Sequence, residues 1–455
     1  MKQIDFSNGK TAQNIFYAAF PMLVAQVLNL MYNIVDRVYI GRIPEVGVTA
    51  LGGVGICFPL ITIVTAFTNL YGVGGAPLCS IERGRKNLTG AQEIMNTSFY
   101  LLIITALVLT LFGELFLRPV LYLFGASDIT IVYAEPYMRI YLAGTVFSMT
   151  ALGLNPFINS QGFSSVGMMT VFVGAMANII LDPIFIFLFN MGVSGAALAT
   201  IISQFISAMF VLHFLTSDKA ELKLSLKIPK SLKASTVKNI VGLGVSSFVM
   251  QINNSLIQVV NNNVLGTFGG DMYISAMTII NSVRQILDTP ALAITDGASP
   301  VLSYNYGARK YKDVKKAIFL VTGATLTYTG VVWLLIFLFP VFFISIFNSD
   351  SSLLSVAVTS LHTYYFAYIF QALQFSGQMV FKSLGKKKQT IFFSILRKVI
   401  IVVPLTIILP HVAGLGAHGV FMAEPISNVV GGTICFTAML LMIMPELNGK
   451  KKARP

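Results

Sequence analysis

Long apolar runs separated by short polar stretches cover the chain from end to end. Runs of about 20 residues match the length needed to cross a hydrocarbon core of roughly 30 Å. The pattern predicts helices at roughly 14–40, 50–76, 93–115, 135–158, 166–189, 193–215, 237–265, 273–300, 314–340, 357–382, 389–411 and 416–443. Pro21, Pro59, Pro156, Pro183, Pro290, Pro404 and Pro425 fall inside these runs. Such kinks are tolerated where neighbouring helices satisfy the freed backbone groups. The expected fold class is an all-α membrane protein with twelve transmembrane helices.

Composition agrees. Of 455 residues, 55% are hydrophobic and 11% charged, against about 25% charged in an ordinary soluble chain. The net charge of +13 raises nucleic acid as a partner. The placement of the basic residues excludes it, because they sit in loops between apolar runs. Alternate loops are basic: Arg83, Arg85 and Lys86; Lys219, Lys223, Lys227, Lys230 and Lys233; Arg309, Lys310, Lys312, Lys315 and Lys316; Lys386, Lys387 and Lys388; and the tail Lys450, Lys451, Lys452 and Arg454. The opposite loops hold little beyond Arg42 and Arg118. By the positive-inside rule both termini are expected in the cytoplasm of a multi-pass protein. Met1 to Lys10 is polar and the first apolar run is too long for a cleavable leader, so no signal peptide is expected. Cys57, Cys79 and Cys435 are isolated, with no metal or disulfide spacing.

The lysine-rich stretch near Thr216–Ser235 divides the chain. The expected organisation is a first six-helix lobe at 1–215, a cytoplasmic linker at 216–236 and a second lobe at 237–455. The halves repeat. Gln26, Gly41, Pro77, Ser80 and Gly84 match Gln251, Gly266, Pro300, Ser303 and Gly307; Gly162, Gly195, Ala199 and Ser203 match Gly385, Gly419, Ala423 and Ser427. The offset stays near 224 throughout. Repeats with an even helix count start on the same side, and such pairs place a substrate path at their interface.

Ionisable groups at membrane depth are costly and are functional candidates by default. The sharpest set is Asp36, Asn178, Asp182 and Thr200. Asn178 and Asp182 lie four apart on one helix face, and all four fall in the outer half of the membrane at 1.5 Å per residue. Two carboxylates, an amide oxygen and a hydroxyl suit Na⁺. They suit a proton equally, because two carboxylates in one low-dielectric pocket do not both ionise cheaply. The alternative is that Asp182 caps or kinks its helix beside Pro183 while Asp36 pairs with Arg37. The second half has no copy of the set: Asn261, Leu405 and Glu424 stand near the positions of Asp36, Asp182 and Thr200. Glu424 is either a second titrating group or a buried acid paired with polar neighbours. Arg284 and Asp288, four apart, are spaced for a local ion pair. Asp296 lies in a Gly-containing stretch and can gate or cap. Arg139, Arg397 and Lys398 are placed near cytoplasmic helix ends, where they snorkel without a transport role. Gln26, Tyr39, Asn155 and Asn159 are candidates for a cleft face, together with Arg284, Asp288 and Asp296.

With these residues the chain resembles the bacterial multidrug and toxic-compound extrusion (MATE) transporters over essentially its whole length. The resemblance is carried by Val35-Asp36 with Tyr39-Ile40-Gly41, by Gly72-Val73-Gly74-Gly75 ahead of Ser80, and by Asn178 with Asp182-Pro183. Gly192-Val193-Ser194-Gly195-Ala196-Ala197-Leu198-Ala199-Thr200, Asn305-Tyr306-Gly307-Ala308 and Ala423-Glu424-Pro425-Ile426-Ser427 add to it. It implies two six-helix bundles around a V-shaped central cleft, and cation-coupled export of organic, often cationic or amphipathic, compounds. It also implies that the coupling ion, H⁺ or Na⁺, sits at Asp36, Asn178, Asp182 and Thr200. Two departures stand out. The glutamine usual in the family before a second-half glycine is Asp296 here, and Asp288 stands where similar proteins tend to be apolar. Acids used by another branch are not evident on the seventh and tenth helices.

The leading expectation is a monomeric antiporter of the bacterial cytoplasmic membrane that needs no cofactor and exports small organic substrates across the lipid bilayer. A flippase for a lipid-linked sugar is the runner-up, and a cleft lined by several basic residues would favour it. A membrane enzyme is disfavoured: His213, His362, His411 and His418 show no zinc spacing, and no nucleophile motif or phosphate loop occurs. A channel would require currents far above transporter turnover.

Overall fold

The computed structural model describes residues 3–6, 10–225, 232–346, 351–412 and 414–449. Lys227, Lys230 and the tail Lys450, Lys451, Lys452 and Arg454 of the charge pattern lie outside them. The described residues are almost entirely helical and contain no strand. Nine helices are long and apolar enough to cross a membrane, and two bent pairs bring the count among the described residues to eleven. Helix α9 (Gly270–Gly307) has 38 residues. It is long enough to be the twelfth, but Arg284, Asp288 and Asp296 make it too polar to count with the others.

Two compact units divide the chain: Met1–Asp5 with Pro21–Gln251, and Phe6–Phe20 with Ile252–Pro455. The boundaries therefore run through α1 (Thr11–Gly41) and α8 (Ala234–Phe268) rather than through the lysine-rich linker.

The first unit holds α2 (Gly47–Gly84), α3 (Leu88–Leu123), α4 (Ile131–Ala143), α5 (Thr145–Ser160), α6 (Ser164–Pro183) and α7 (Gly192–Thr216). Its core is built from Met95, Leu102, Leu154 and Phe157 in one cluster and Ile40, Leu121, Met138 and Ile186 in another. Small residues let the helices approach. A Cβ on Gly72 would meet the backbone of Gly153, and a Cβ on Gly244 would lie 1.8 Å from the Leu70 carbonyl oxygen. Such close backbone contact is how membrane helices associate where lipid gives no hydrophobic drive. Gly244→Val is expected to lower stability by about 1–3 kcal/mol through overpacking. A thermal-melt series in detergent checks this; an unchanged midpoint would refute the contact.

The second unit holds α9, α10 (Tyr311–Leu338), α11 (Pro340–Ser345), α12 (Ser351–Tyr365), α13 (Gln371–Ser383), α14 (Lys387–Ile395), α15 (Val403–Ile408) and α16 (Ala417–Leu447). Ile280, Ile336, Leu361, Tyr365 and Phe421 fill its core. The repeat is visible in single hydrogen bonds. Ser80 Oγ donates to the Ser160 carbonyl, and Ser303 Oγ donates to the Ser383 carbonyl; each pair is 80 residues apart. On the outside of α3, Leu111, Phe112, Leu115 and Phe116 are exposed, an apolar face suited to lipid.

Four predicted helices need correction. The stretch 135–158 is not continuous: α4 and α5 meet at 58°. Gly144 stands at the break, with the Ile201 side chain packed where a Cβ would go. The stretch 357–382 breaks by 44° between Tyr365 and Tyr368. No Gly or Pro marks it; fully buried Tyr365 packs on Tyr364 and Tyr368 there. The stretch 389–411 changes winding to a π-helix over Leu396–Val402. A second π-helical turn, Ile184–Leu188, follows Asp182-Pro183.

Candidate functional site

In the first unit, α6 ends at Pro183 and the π-helical turn leads into α7. The small residues at the start of α7 allow a tight join: a Cβ on Gly195 would lie 2.7 Å from the Phe185 carbonyl. That join brings Thr200 beside α6. Asn178 Nδ2 donates to Asp182 Oδ1 at 3.2 Å and lies 3.4 Å from Thr200 Oγ1. All three side chains are buried. Asp36 of α1 faces Asp182, carboxyl to carboxyl, within hydrogen-bonding reach. The four residues singled out in the sequence therefore converge.

Their chemistry is one-sided. Asp36 Oδ1, Asn178 Oδ1 and Asp182 Oδ2 are buried without a donor. Facing carboxylates are acceptors only. They need a proton between them or a cation among them, since an unsatisfied buried acceptor costs about 1–3 kcal/mol and more when charged. Arg37 is within electrostatic reach of Asp36, but its guanidinium lies over the Phe58 ring, 4.5 Å from the centroid. Among the described residues no group of three or more His, Cys, Asp or Glu could hold a metal ion. A monovalent ion asks for fewer acids and accepts amide and hydroxyl oxygens.

Asn178 and Thr200 also line a cavity with Asn29, Tyr32, Gly174 and Gln204. It offers about 50 Å³ to water-sized groups. That is room for a few waters or a small cation, well below the roughly 300–1,000 Å³ of a drug-sized site.

The remaining candidates separate from this group. Gln26 is half-buried on α1, and Tyr39 packs edge-on to Phe187. The Asn155 amide donates to the Gly167 carbonyl at 2.8 Å and to Thr170 Oγ1 at 2.6 Å, and Asn159 donates to Asn155. These amides tie α5 to α6. In the second unit, Lys382 Nζ donates to Asp296 at 3.3 Å. The expected Arg284–Asp288 ion pair is replaced by two tyrosines: Arg284 donates to Tyr364 Oη at 3.0 Å, and Tyr368 Oη donates to Asp288 at 2.8 Å.

Arg397 and Lys398 require the largest correction. They do not snorkel. Arg397 is buried and donates to Glu424, and Lys398 Nζ lies 3.0 and 3.2 Å from the two Glu424 oxygens. Glu424 is thus a paired acid, and Arg397 and Lys398 are deep cations like Arg284. The π-helical winding of Leu396–Val402 shifts side-chain direction relative to an α-helix. A tandem of two cations inside an apolar run, opposite one equally deep acid, was the available signal.

A polytopic helical protein built from internal repeats has the architecture of a membrane transporter. The MatE family model matches the chain twice, over residues 21–184 and 246–408. The chain belongs to the MatE family and is a membrane transporter, not an enzyme. It is 23% identical over 440 residues to the multidrug export protein MepA of Staphylococcus aureus, covering 96% of this chain and 94% of that protein. The MepA protein of Staphylococcus haemolyticus is similar at 23% over 438 residues, with 96% and 94% covered. Among solved structures, an outward-facing multidrug resistance MATE transporter of the MOP superfamily shares the fold at TM-score 0.91 and 22% identity, over 99% of both chains. A MOP superfamily transporter from Pyrococcus furiosus, described as having a binding pocket of reverse polarity, shares it at TM-score 0.91 and 22% identity, over 98% of this chain and 99% of that one.

Proposed function

We propose that the chain exports small organic compounds, cationic or amphipathic, from a bacterial cell by exchange for H⁺ or Na⁺. Asp36, Asn178, Asp182 and Thr200 hold the coupling ion. The observation that carries this reading is the facing carboxyl pair Asp36–Asp182, with three donor-less oxygens around it. The resemblance to proteins named for multidrug export supports the substrate class. The chain works as a monomer in the plasma membrane; the basic loops support both termini lying in the cytoplasm. Ion binding drives the cycle only by differing in affinity between the inward- and outward-open states.

A second reading, a flippase for a lipid-linked substrate, is favoured by the basic residues Arg284, Arg397 and Lys398 in the second unit. Efflux of ethidium from reconstituted vesicles separates the two. Efflux driven by an imposed pH or Na⁺ gradient is the expected result and identifies the ion. No ethidium movement under either gradient would reject cation export and favour the flippase.

A further inference from the structure

Among the described residues, the buried basic groups in the interior of the second unit outnumber the acids they face. Glu424 is the one acid bonded to both Arg397 and Lys398. Arg284, within electrostatic reach of Glu424, donates to the neutral Tyr364 hydroxyl. Asp288 accepts from Tyr368. Among the described residues, three buried basic groups thus stand against two acids. An uncompensated cation at membrane depth is expensive unless water or an anion reaches it. Arg397 also keeps a buried Nε–H with no acceptor, one donor of the planar fork that binds oxyanions in pairs. Lys398 retains 14% side-chain exposure against 6% for Arg397, so it is the more accessible of the two cations.

We infer that Arg397 and Lys398, with Arg284 in electrostatic reach, form a binding site for the oxyanion group of an amphipathic compound. Glu424 is the internal counter-ion that holds the cations in place when the site is empty. The ligand class is an organic carboxylate, sulfonate or phosphate, zwitterions included. This widens the substrates of the proposed exporter beyond cations, and it rests on the export reading. Binding is therefore measured at equilibrium, without any gradient, so a failure here is distinct from a failure of coupling.

The probe is carboxyfluorescein, with ethidium as the cationic control, titrated into the full-length protein in phosphatidylcholine nanodiscs and read by polarisation. The expected result is that Lys398→Gln weakens carboxyfluorescein binding tenfold or more and leaves ethidium unmoved. Lys398→Arg should retain wild-type affinity. Glu424→Gln, which releases the cations, should bind the probe more tightly; if that variant does not fold, the two Lys398 variants decide alone. Absence of carboxyfluorescein binding to wild type, or equal affinity in Lys398→Gln, would overturn the inference and leave the cluster structural. Phosphatidylglycerol added to the nanodiscs distinguishes the sources. If it displaces the probe from wild type, the site reads a lipid phosphate; if it does not, the site reads a soluble oxyanion. Either result requires the Lys398 dependence.

Discussion

Asp36→Asn is expected to abolish gradient-driven efflux while leaving the protein folded. The asparagine amide supplies the donor that Asp182 Oδ2 lacks, so it mimics the ion-loaded state and holds it. Coupling between two ligands in such systems amounts to about 1–3 kcal/mol, or roughly 5–150-fold in affinity, and a variant fixed in one state loses it. Asp182→Asn should behave alike, because the two carboxyls form one site. The thermal midpoint of either variant should stay level or rise, since a buried orphan oxygen gains a partner. That combination separates coupling from a structural role. Reduced transport together with a lowered midpoint would mark the pair as a structural element.

The second large effect concerns stability. Glu424→Ala leaves Arg397 and Lys398 with no acid in contact. Removing one partner of a buried ion pair costs about 3–5 kcal/mol, because the remaining charge is uncompensated. Replacing Glu424, Arg397 and Lys398 together by leucine should recover most of that loss, since apolar substitutes for buried charges are often neutral or stabilising. Thermal unfolding in detergent of the single and triple variants is the check. A single variant as stable as wild type would mean that water already solvates the two cations.

Much of the architecture was legible in the sequence because a bilayer imposes one strong rule. Each span must satisfy its own backbone, so a long apolar run reads as a helix. The acidic group was legible for a related reason. Asp182 cannot sit at membrane depth by accident, and its spacing from Asn178 places both on one face. The three-dimensional meeting with Thr200 follows from the short connection between α6 and α7. What escaped was local winding. Hydropathy does not distinguish an α-turn from a π-turn, so Arg397 and Lys398 read as charges at a helix end. The bend between Tyr365 and Tyr368 carries no breaker residue; packing among tyrosines sets it. The division of α1 and α8 between the two units is likewise invisible in composition, because both parts of each helix are similarly apolar.

If the first unit holds a coupling ion at Asp36 and Asp182, ion and export substrate each change the affinity for the other. Ion release on substrate addition tests it most directly: the purified protein in weakly buffered detergent solution, with ethidium added, read by a pH-sensitive dye and, in parallel, by displacement of bound radiolabelled Na⁺. Wild type is expected to release one of the two ions, and the Asp36→Asn, Asp182→Asn double variant neither. Equal release from the double variant would contradict it and place the coupling ion elsewhere in the chain.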